Sequence, residues 1–437
     1  MAGSDMEALV VGRLMRRLIP VLFFLYVVAY LDRINIGFAA LQMQNQLNLS
    51  NATYGFGAGI FFIGYVIFQL PSNMMLERVG ARRWIAMLMV LWGLISSSMI
   101  FLRSPWHLYV LRFLLGSAEA GFFPGIILYL KNWIPAAARA RTIAWFSGAG
   151  PLSAIIGGPI SGTLLRVHRA GLAGWQWMFL MEGIPAIILG IGISFYLTDT
   201  PQQASWLPSE LRAWLIRTLE DERLPTSSHP SAGLVQVFTS LETWLLVLVY
   251  FGLNSAGYGI TFWLPSVIRS LSHITTVEIG FVSAVPYAAA LIVMILVGAH
   301  SDRSREHRWH VAVPACIGAA GLFLAGYSVS VGAMVAAISL AIVSEFSMVG
   351  PFWALATAVS TESAAAGIAL INSLGNLGGL FGSYTIGALR NSGGFRAGML
   401  SVGLGLGITG CLALLVRSPA RILRHQASGV TTGAEAK

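Results

Sequence analysis

The chain of 437 residues is 56% hydrophobic and only 10% charged, with a mean hydropathy of +0.73, a composition that excludes an ordinary soluble globular domain and places it in a bilayer. Its net charge of +9 would suit a nucleic-acid partner only if the basic residues lined one solvated face, whereas here they gather at the ends of apolar stretches. The two cysteines, Cys316 and Cys411, lie in apolar runs; they exclude a disulfide framework or thiolate metal site and read as small core residues.

Arg13, Arg16 and Arg17 precede the first apolar run. That run is too long for a signal peptide and lacks a small-residue cleavage site, so it reads as a retained span. A hydrocarbon core of about 30 Å takes roughly 20 apolar residues per helix, and twelve such spans fit the chain, at 18–40, 55–75, 84–102, 107–130, 141–165, 177–198, 243–266, 279–299, 310–329, 332–355, 365–388 and 396–416. Gly and Pro recur within them, as in helices packed closely in lipid.

Between the sixth and seventh spans lies a polar stretch from Asp199 to Thr239, with an acidic run at Glu220–Glu222 and turn-forming residues over 225–230. The chain therefore divides into an N-terminal six-helix half, 1–198, a cytoplasmic linker, 199–240, and a C-terminal half with a cytoplasmic tail, 241–437. With both termini inside, the cytoplasmic segments hold 19 Lys and Arg against 6 outside, the asymmetry expected of a multi-pass protein of the cell's inner (plasma) membrane.

Ionisable residues inside apolar spans are the strongest functional signal, because each costs about 2.5–3.5 kcal/mol on insertion scales. In the first span Asp32 and Arg33 are adjacent, about 100° apart around a helix, and so address different partners. In the fourth, Arg112 and Glu119 are seven residues apart on one face. Counted from the span ends at 1.5 Å per residue, Asp32 and Arg112 fall in the outer half and Glu119 near mid-depth, where an acid facing a cavity suits proton carriage. A permanent Arg112–Glu119 packing pair is the plainer alternative, as is snorkelling of Asp32 and Arg33. Glu182, just after Trp175-Gln176-Trp177, reads as a membrane-edge residue capping or pairing with a loop. Glu345, inside the tenth span, has no evident partner.

The loops repeat as well. Glu77-Arg78-Val79-Gly80-Ala81-Arg82-Arg83 follows the second span and Ser301-Asp302-Arg303-Ser304-Arg305 the eighth, an arrangement of internal repeats known among transporters. The loop at 73–83 resembles the signature Gly-x-x-x-Asp-Arg-x-Gly-Arg-Arg of the major facilitator superfamily, with Asn73 for the Gly and Glu77 for the Asp, departures typical of its anion:cation symporter branch. Tyr30-Leu31-Asp32-Arg33-Ile34-Asn35, the stretch from Arg112 to Gly121, and Asn372-Ser373-Leu374-Gly375-Asn376-Leu377-Gly378-Gly379 are similar to that branch too. The resemblance implies an all-α polytopic membrane protein with twelve transmembrane helices in two pseudo-symmetric six-helix halves. It implies Asp32 and Glu119 as the proton-coupling pair, Arg33 and Tyr65 as contacts to the carboxylate of an organic anion, and Arg112 as the charge partner of Glu119. Trp353 and Asn372 match cavity positions, Asn376 lies one turn further on, and Glu345 stands where a neutral residue is expected.

Chemistry apart from the family points the same way: a carboxylate needs a cationic anchor such as Arg33 and a donor such as the Tyr65 phenol. Trp353 also reads as a packed aromatic, and Asn372 and Asn376 as interhelical hydrogen-bonding groups. No phosphate-binding loop occurs, and the eight histidines lack metal-ligand spacing, those at 300, 307 and 310 reading as solvated loop residues; this excludes ATP hydrolysis and a metal centre. The glycine-rich run 157–162 resembles a fifth-helix motif of drug:proton antiporters but also suits close packing. The expected function is therefore a non-enzymatic, cofactor-free, monomeric symporter that imports a small organic anion with protons: a sugar acid, hydroxy-dicarboxylate or aromatic acid. An effluxer or exchanger on the same fold and a ligand sensor are the alternatives.

Overall fold

A computed structural model describes residues 3–222, 237–359 and 364–416, and among these every regular element is helical. The turn-rich residues 225–230 of the linker and the basic tail from Arg417 lie outside the described residues. Cα packing divides the chain into two units, Met1–Ser227 with Leu264–Ala284, and Ser228–Trp263 with Val285–Lys437.

In the first unit, α1 (Gly3–Ile34) and α2 (Ile36–Gln46) form one crossing through Asn35, whose backbone keeps helical angles. It runs past the expected end at 40, so Asp32 lies 14 residues, about 21 Å, from the Gln46 end, deeper than the sequence spacing suggested. Next come α3 (Asn51–Gly59) and α4 (Phe61–Val79), then α5 (Ala81–Ser98), α6 (Pro105–Glu119) and α7 (Phe122–Lys131), α8 (Ala136–Ser147) and α9 (Ala149–Leu164), α10 (Gly174–Tyr196), and the linker helix α11 (Ser209–Asp221).

Local chemistry sets the boundaries. Ser50 caps α3 by accepting the Thr53 amide at 3.1 Å, and Ser104 caps α6 ahead of Pro105, whose missing N–H costs nothing in the first turn. Gly80, at φ +90°, turns the chain from α4 into α5. That turn is pinned by Asp199, which accepts the Arg82 backbone amide at 3.0 Å and pairs with its guanidinium at 3.2 Å. The signature-like loop is thus tied to the segment after α10.

The second unit is built on α12 (Leu241–Leu271), α13 (Thr276–Ser304), α14 (Arg308–Tyr327), α15 (Val331–Val359) and α16 (Ala364–Leu415). Ten helical stretches among the described residues are long and apolar enough to cross a membrane. The other two expected spans are helical as well. The fifth is α8–α9, broken at Gly148 into pieces of 12 and 16 residues. The eleventh is the first part of α16, joined to the twelfth across Gly393 and Gly394, whose angles leave the helix.

Large apolar side chains such as Leu70, Ile188, Phe195 and Ile292 cover the outer faces, as a hydrocarbon environment allows. Cys316 and Cys411, expected in the core, are exposed there too; against lipid a small apolar residue costs no more outside than inside, so composition could not place them.

Glycine brings α4 and α6 together. A Cβ at Gly116 would fall onto the Phe61 carbonyl oxygen, and one at Gly64 onto that of Phe113, the small-residue contact by which lipid-embedded helices approach. Gly157 likewise makes room for Leu31 where α9 packs on α1, while Gly158 and Gly162 of the same run lie against Gly280 and Thr276 of α13. Gly116→Ala should therefore cost about 1–3 kcal/mol through overpacking and lower the thermal unfolding midpoint in detergent. Gly192→Ala, which meets open space, should leave the midpoint unchanged.

Candidate functional site

The α4–α6 contact places Phe61 at the centre of the first unit. The Arg33 guanidinium carbon lies 5.2 Å from the Phe61 ring centroid, and that of Arg112 lies 5.0 Å from the same centroid. Both are cation–π distances, and the ring's negative face relieves part of the cost of burying two cations together. Tyr65, one turn along α4, stacks on Phe61 at 6.0 Å and gives Arg33 a second ring at 5.5 Å. Sequence reasoning singled out Tyr65 but passed over Phe61, since an aromatic in a membrane helix is usually packing and nothing in its spacing marks it.

Arg33 reaches Glu119 across the helices. Its Nη2 lies 2.8 Å from Glu119 Oε2, and its Nε donates to the same oxygen at 3.2 Å. Glu119 is 1% exposed and Arg33 13%, so the pair is nearly dry and Arg33 is the more accessible of the two. The second carboxylate oxygen, Glu119 Oε1, is buried without a hydrogen-bond partner.

Arg112, fully buried, shares the Glu119 face and acts on that acid electrostatically, while its Nη2 donates to the Ala58 carbonyl at 3.1 Å. The fixed carbonyl and ring anchor Arg112; Arg33 holds the close contact with the acid.

Asp32 turns the other way, as its 100° offset from Arg33 requires. It is fully buried and accepts Ser96 Oγ of α5 at 2.7 Å and Asn35 Nδ2 at 3.4 Å. Burial at this depth removes the snorkelling alternative for Asp32. Glu182, expected at the membrane edge, is likewise buried, with 5% exposure, and accepts Ser161 Oγ of α9 at 2.7 Å. The aromatic pair before it misled the depth estimate. Trp175 is buried, its indole donating to Gln46 Oε1 at 2.6 Å, so it marks a helix-packing corner and not a lipid headgroup level.

In the second unit, Trp353 of α15 packs edge-on against Tyr250 of α12 at 5.1 Å, and Tyr250 stacks on Phe352 at 5.0 Å with planes 9° apart. A Cβ at Gly375 would overlap the Tyr250 ring, so α16 brings Asn372 and Asn376 beside this cluster. Asn376 Nδ2 donates to the Asn372 carbonyl at 2.6 Å and to its Oδ1 at 3.2 Å. The two amides thus bond along one helix, and not across helices as the sequence allowed. Tyr250 is the missed residue here. The Glu345 carboxylate fills the space above Gly257, which has no Cβ to obstruct it, and its Oε2 is buried without a hydrogen bond. It lies near Tyr287, whose hydroxyl meets Thr261 Oγ1 at 3.0 Å. His300 and His310, expected as solvated loop residues, contact each other at 2.6 Å in an exposed position.

Residues 22–383 match the family model described as Major Facilitator Superfamily. Two curated relatives are similar along nearly their whole length. The chain is 45% identical over 419 residues to a "Putative tartrate transporter" of Agrobacterium vitis, covering 94% of this chain and 92% of that one. It is 42% identical over 417 residues to a "Putative metabolite transport protein NicT" of Pseudomonas putida, covering 94% of each. Among solved structures, a bacterial homologue of the human lysosomal transporter Spinster, inward-facing and unoccupied, superposes with a TM-score of 0.75 at 17% identity, covering 91% of this chain and 96% of that one; at that identity the likeness is one of fold. The chain is a membrane transporter belonging to the Major Facilitator Superfamily.

Proposed function

We propose that this transporter is a proton-coupled symporter of the anion:cation branch, importing a small organic anion of the hydroxy-dicarboxylate class. One observation carries the reading: Arg33, the partly open cation of the site, has a protonatable acid as its close counter-ion. A substrate carboxylate that takes the Nε and Nη2 donors of Arg33 displaces Glu119 from them. An ionised Glu119 left without its partner would be a buried bare charge, which is expensive; a protonated one would not. Anion binding therefore favours proton uptake at Glu119, and release of the anion favours its loss. Coupling follows from competition for one guanidinium.

Asp32, held by Ser96 and Asn35, is the second proton site. Tyr65 supplies a phenol beside Arg33, Trp353 and Asn372 shape the substrate's fit, and Arg112 holds Glu119 in the positive field when Arg33 is occupied. The halves 1–198 and 241–437, joined by the linker 199–240, give alternating access, with coupling in the first and selection in the second. The protein acts as a monomer in the plasma membrane with both termini in the cytoplasm. The relative named for tartrate, at 45% identity, supports the hydroxy-dicarboxylate class.

Three outcomes are expected in proteoliposomes. Labelled tartrate should accumulate only with an inward proton gradient; gradient-independent uptake sinks the coupling. Arg33→Ala should lower affinity by about 1.5–3 kcal/mol, the worth of a charge-assisted hydrogen bond, or roughly ten- to hundredfold. Tyr65→Phe should cost about 0.5–1.5 kcal/mol, the worth of a neutral one. Equal effects from both would remove Arg33 as the anchor.

A further inference from the structure

Glu182 has no place in the coupling scheme above, yet it is built into the same unit with care. α10 carries it 8 residues, about 12 Å, from the Gly174 end. Ser161 of α9 donates to its Oε1 at 2.7 Å, and the Asn35 side chain lies nearby at the α1–α2 junction. The same Asn35 amide donates to Asp32 Oδ1. Asn35 therefore stands between two buried carboxylates on different helices, bonded to Asp32 and near Glu182, and Glu182 acts electrostatically on Asp32.

Two inventories of this cluster do not balance. The first is of charge. Among the described residues, the interior of the unit holds three acids, Asp32, Glu119 and Glu182, and two arginines, Arg33 and Arg112. With all ionised, one negative charge is left over in a low-dielectric interior, which is costly. Arg33 pairs with Glu119, and Arg112 acts on Glu119 and Asp32. Glu182 faces only neutral donors, Ser161 and Asn35; neither α2 nor α9 carries a titratable side chain, and α5 has its arginines at the far end, Arg82 and Arg83.

The second inventory is of hydrogen-bond donors. Asp32 Oδ2, Asn35 Oδ1 and Glu182 Oε2 are all buried acceptors without a partner, and ionised carboxylates only accept. A bound proton corrects both deficits, since it removes the surplus charge and turns one acceptor into a donor.

We propose that Glu182 is a third proton-binding carboxylate of this transporter, and that Asp32 and Glu182, with the positioning residue Asn35 between them, hold one proton. The inference rests on the proton-coupled reading for its use but not for its test. When the anion occupies Arg33 and Glu119 takes its own proton, the Asp32–Glu182 pair feels the altered charge through Arg112, so the shared proton is a second quantity that the transport cycle can load and release.

The test is infrared difference spectroscopy of the reconstituted full-length protein as pH is stepped, reading the carbonyl band of protonated carboxyl groups. Glu182→Gln should remove one titrating carboxyl equivalent and shift the titration of the one that remains on Asp32. Asn35→Leu should retain both and make them titrate independently. A Glu182→Gln titration superimposable on the wild type overturns the proposal. Should that variant not fold, Ser161→Ala removes the donor to Glu182 and should move its band; an unmoved band is equally fatal. Gradient-driven tartrate uptake is measured alongside. If the wild type shows none, the symport reading fails by itself; if uptake is gradient-driven and the Glu182→Gln titration is unchanged, this inference alone fails.

Discussion

A guanidinium inside a bilayer has to be given an anion, a ring face or a carbonyl, and around Phe61 the first unit supplies all three. Arg112 takes the Ala58 carbonyl and one approach to the ring, while Arg33 takes another approach, the Tyr65 ring and the Glu119 carboxylate. Two cations about 5 Å from one ring centroid would repel strongly in a dry medium. Glu119 offsets that repulsion, which makes its protonation state a property of the whole centre and not of one side chain. Substrate binding, proton binding and the integrity of the core thus meet on the same few atoms.

The backbone geometry that permits this is set by residues with no chemistry of their own. Gly116 and Gly64 let α6 and α4 close until the backbone of each lies against a carbonyl of the other. Only at that separation do Phe61 and Arg112 sit ring to guanidinium with Glu119 one layer further on. In the second unit Gly375 and Gly257 do similar service, the first admitting the Tyr250 ring and the second the Glu345 carboxylate. Polar residues are placed by the absence of a Cβ opposite them, a form of positioning that hydropathy does not register.

Much of the fold was legible because membrane spans announce themselves by apolar length. What escaped was whatever depends on contacts between spans. Gly148 broke the fifth span where its apolar run alone showed no boundary, whereas Gly393–Gly394 fall between the expected eleventh and twelfth spans. The divergence of Asp32 and Arg33 followed from helical rotation, and the shared face of Arg112 and Glu119 followed from their spacing of seven. The partner of Glu119 did not, because Arg33 comes to it from 86 residues away across a tertiary contact. Glu182 was misplaced for a related reason: Trp175 looked like an interfacial aromatic, and only the packed structure turns its indole onto Gln46. Glu345, marked as an anomaly by sequence, remains one in its geometry, a buried oxygen without a hydrogen bond beside a neutral phenol.

Competition between a substrate carboxylate and Glu119 for Arg33 is the central claim, and equilibrium binding tests it without any transport step. Tartrate affinity of the purified protein would be measured as a function of pH for the wild type and for Glu119→Gln. If the acid competes, wild-type affinity falls as pH rises and Glu119 ionises, whereas the affinity of Glu119→Gln falls distinctly less over that range. Parallel pH dependence in the two proteins would contradict the account, because Glu119 would then have no hold on the site that Arg33 offers.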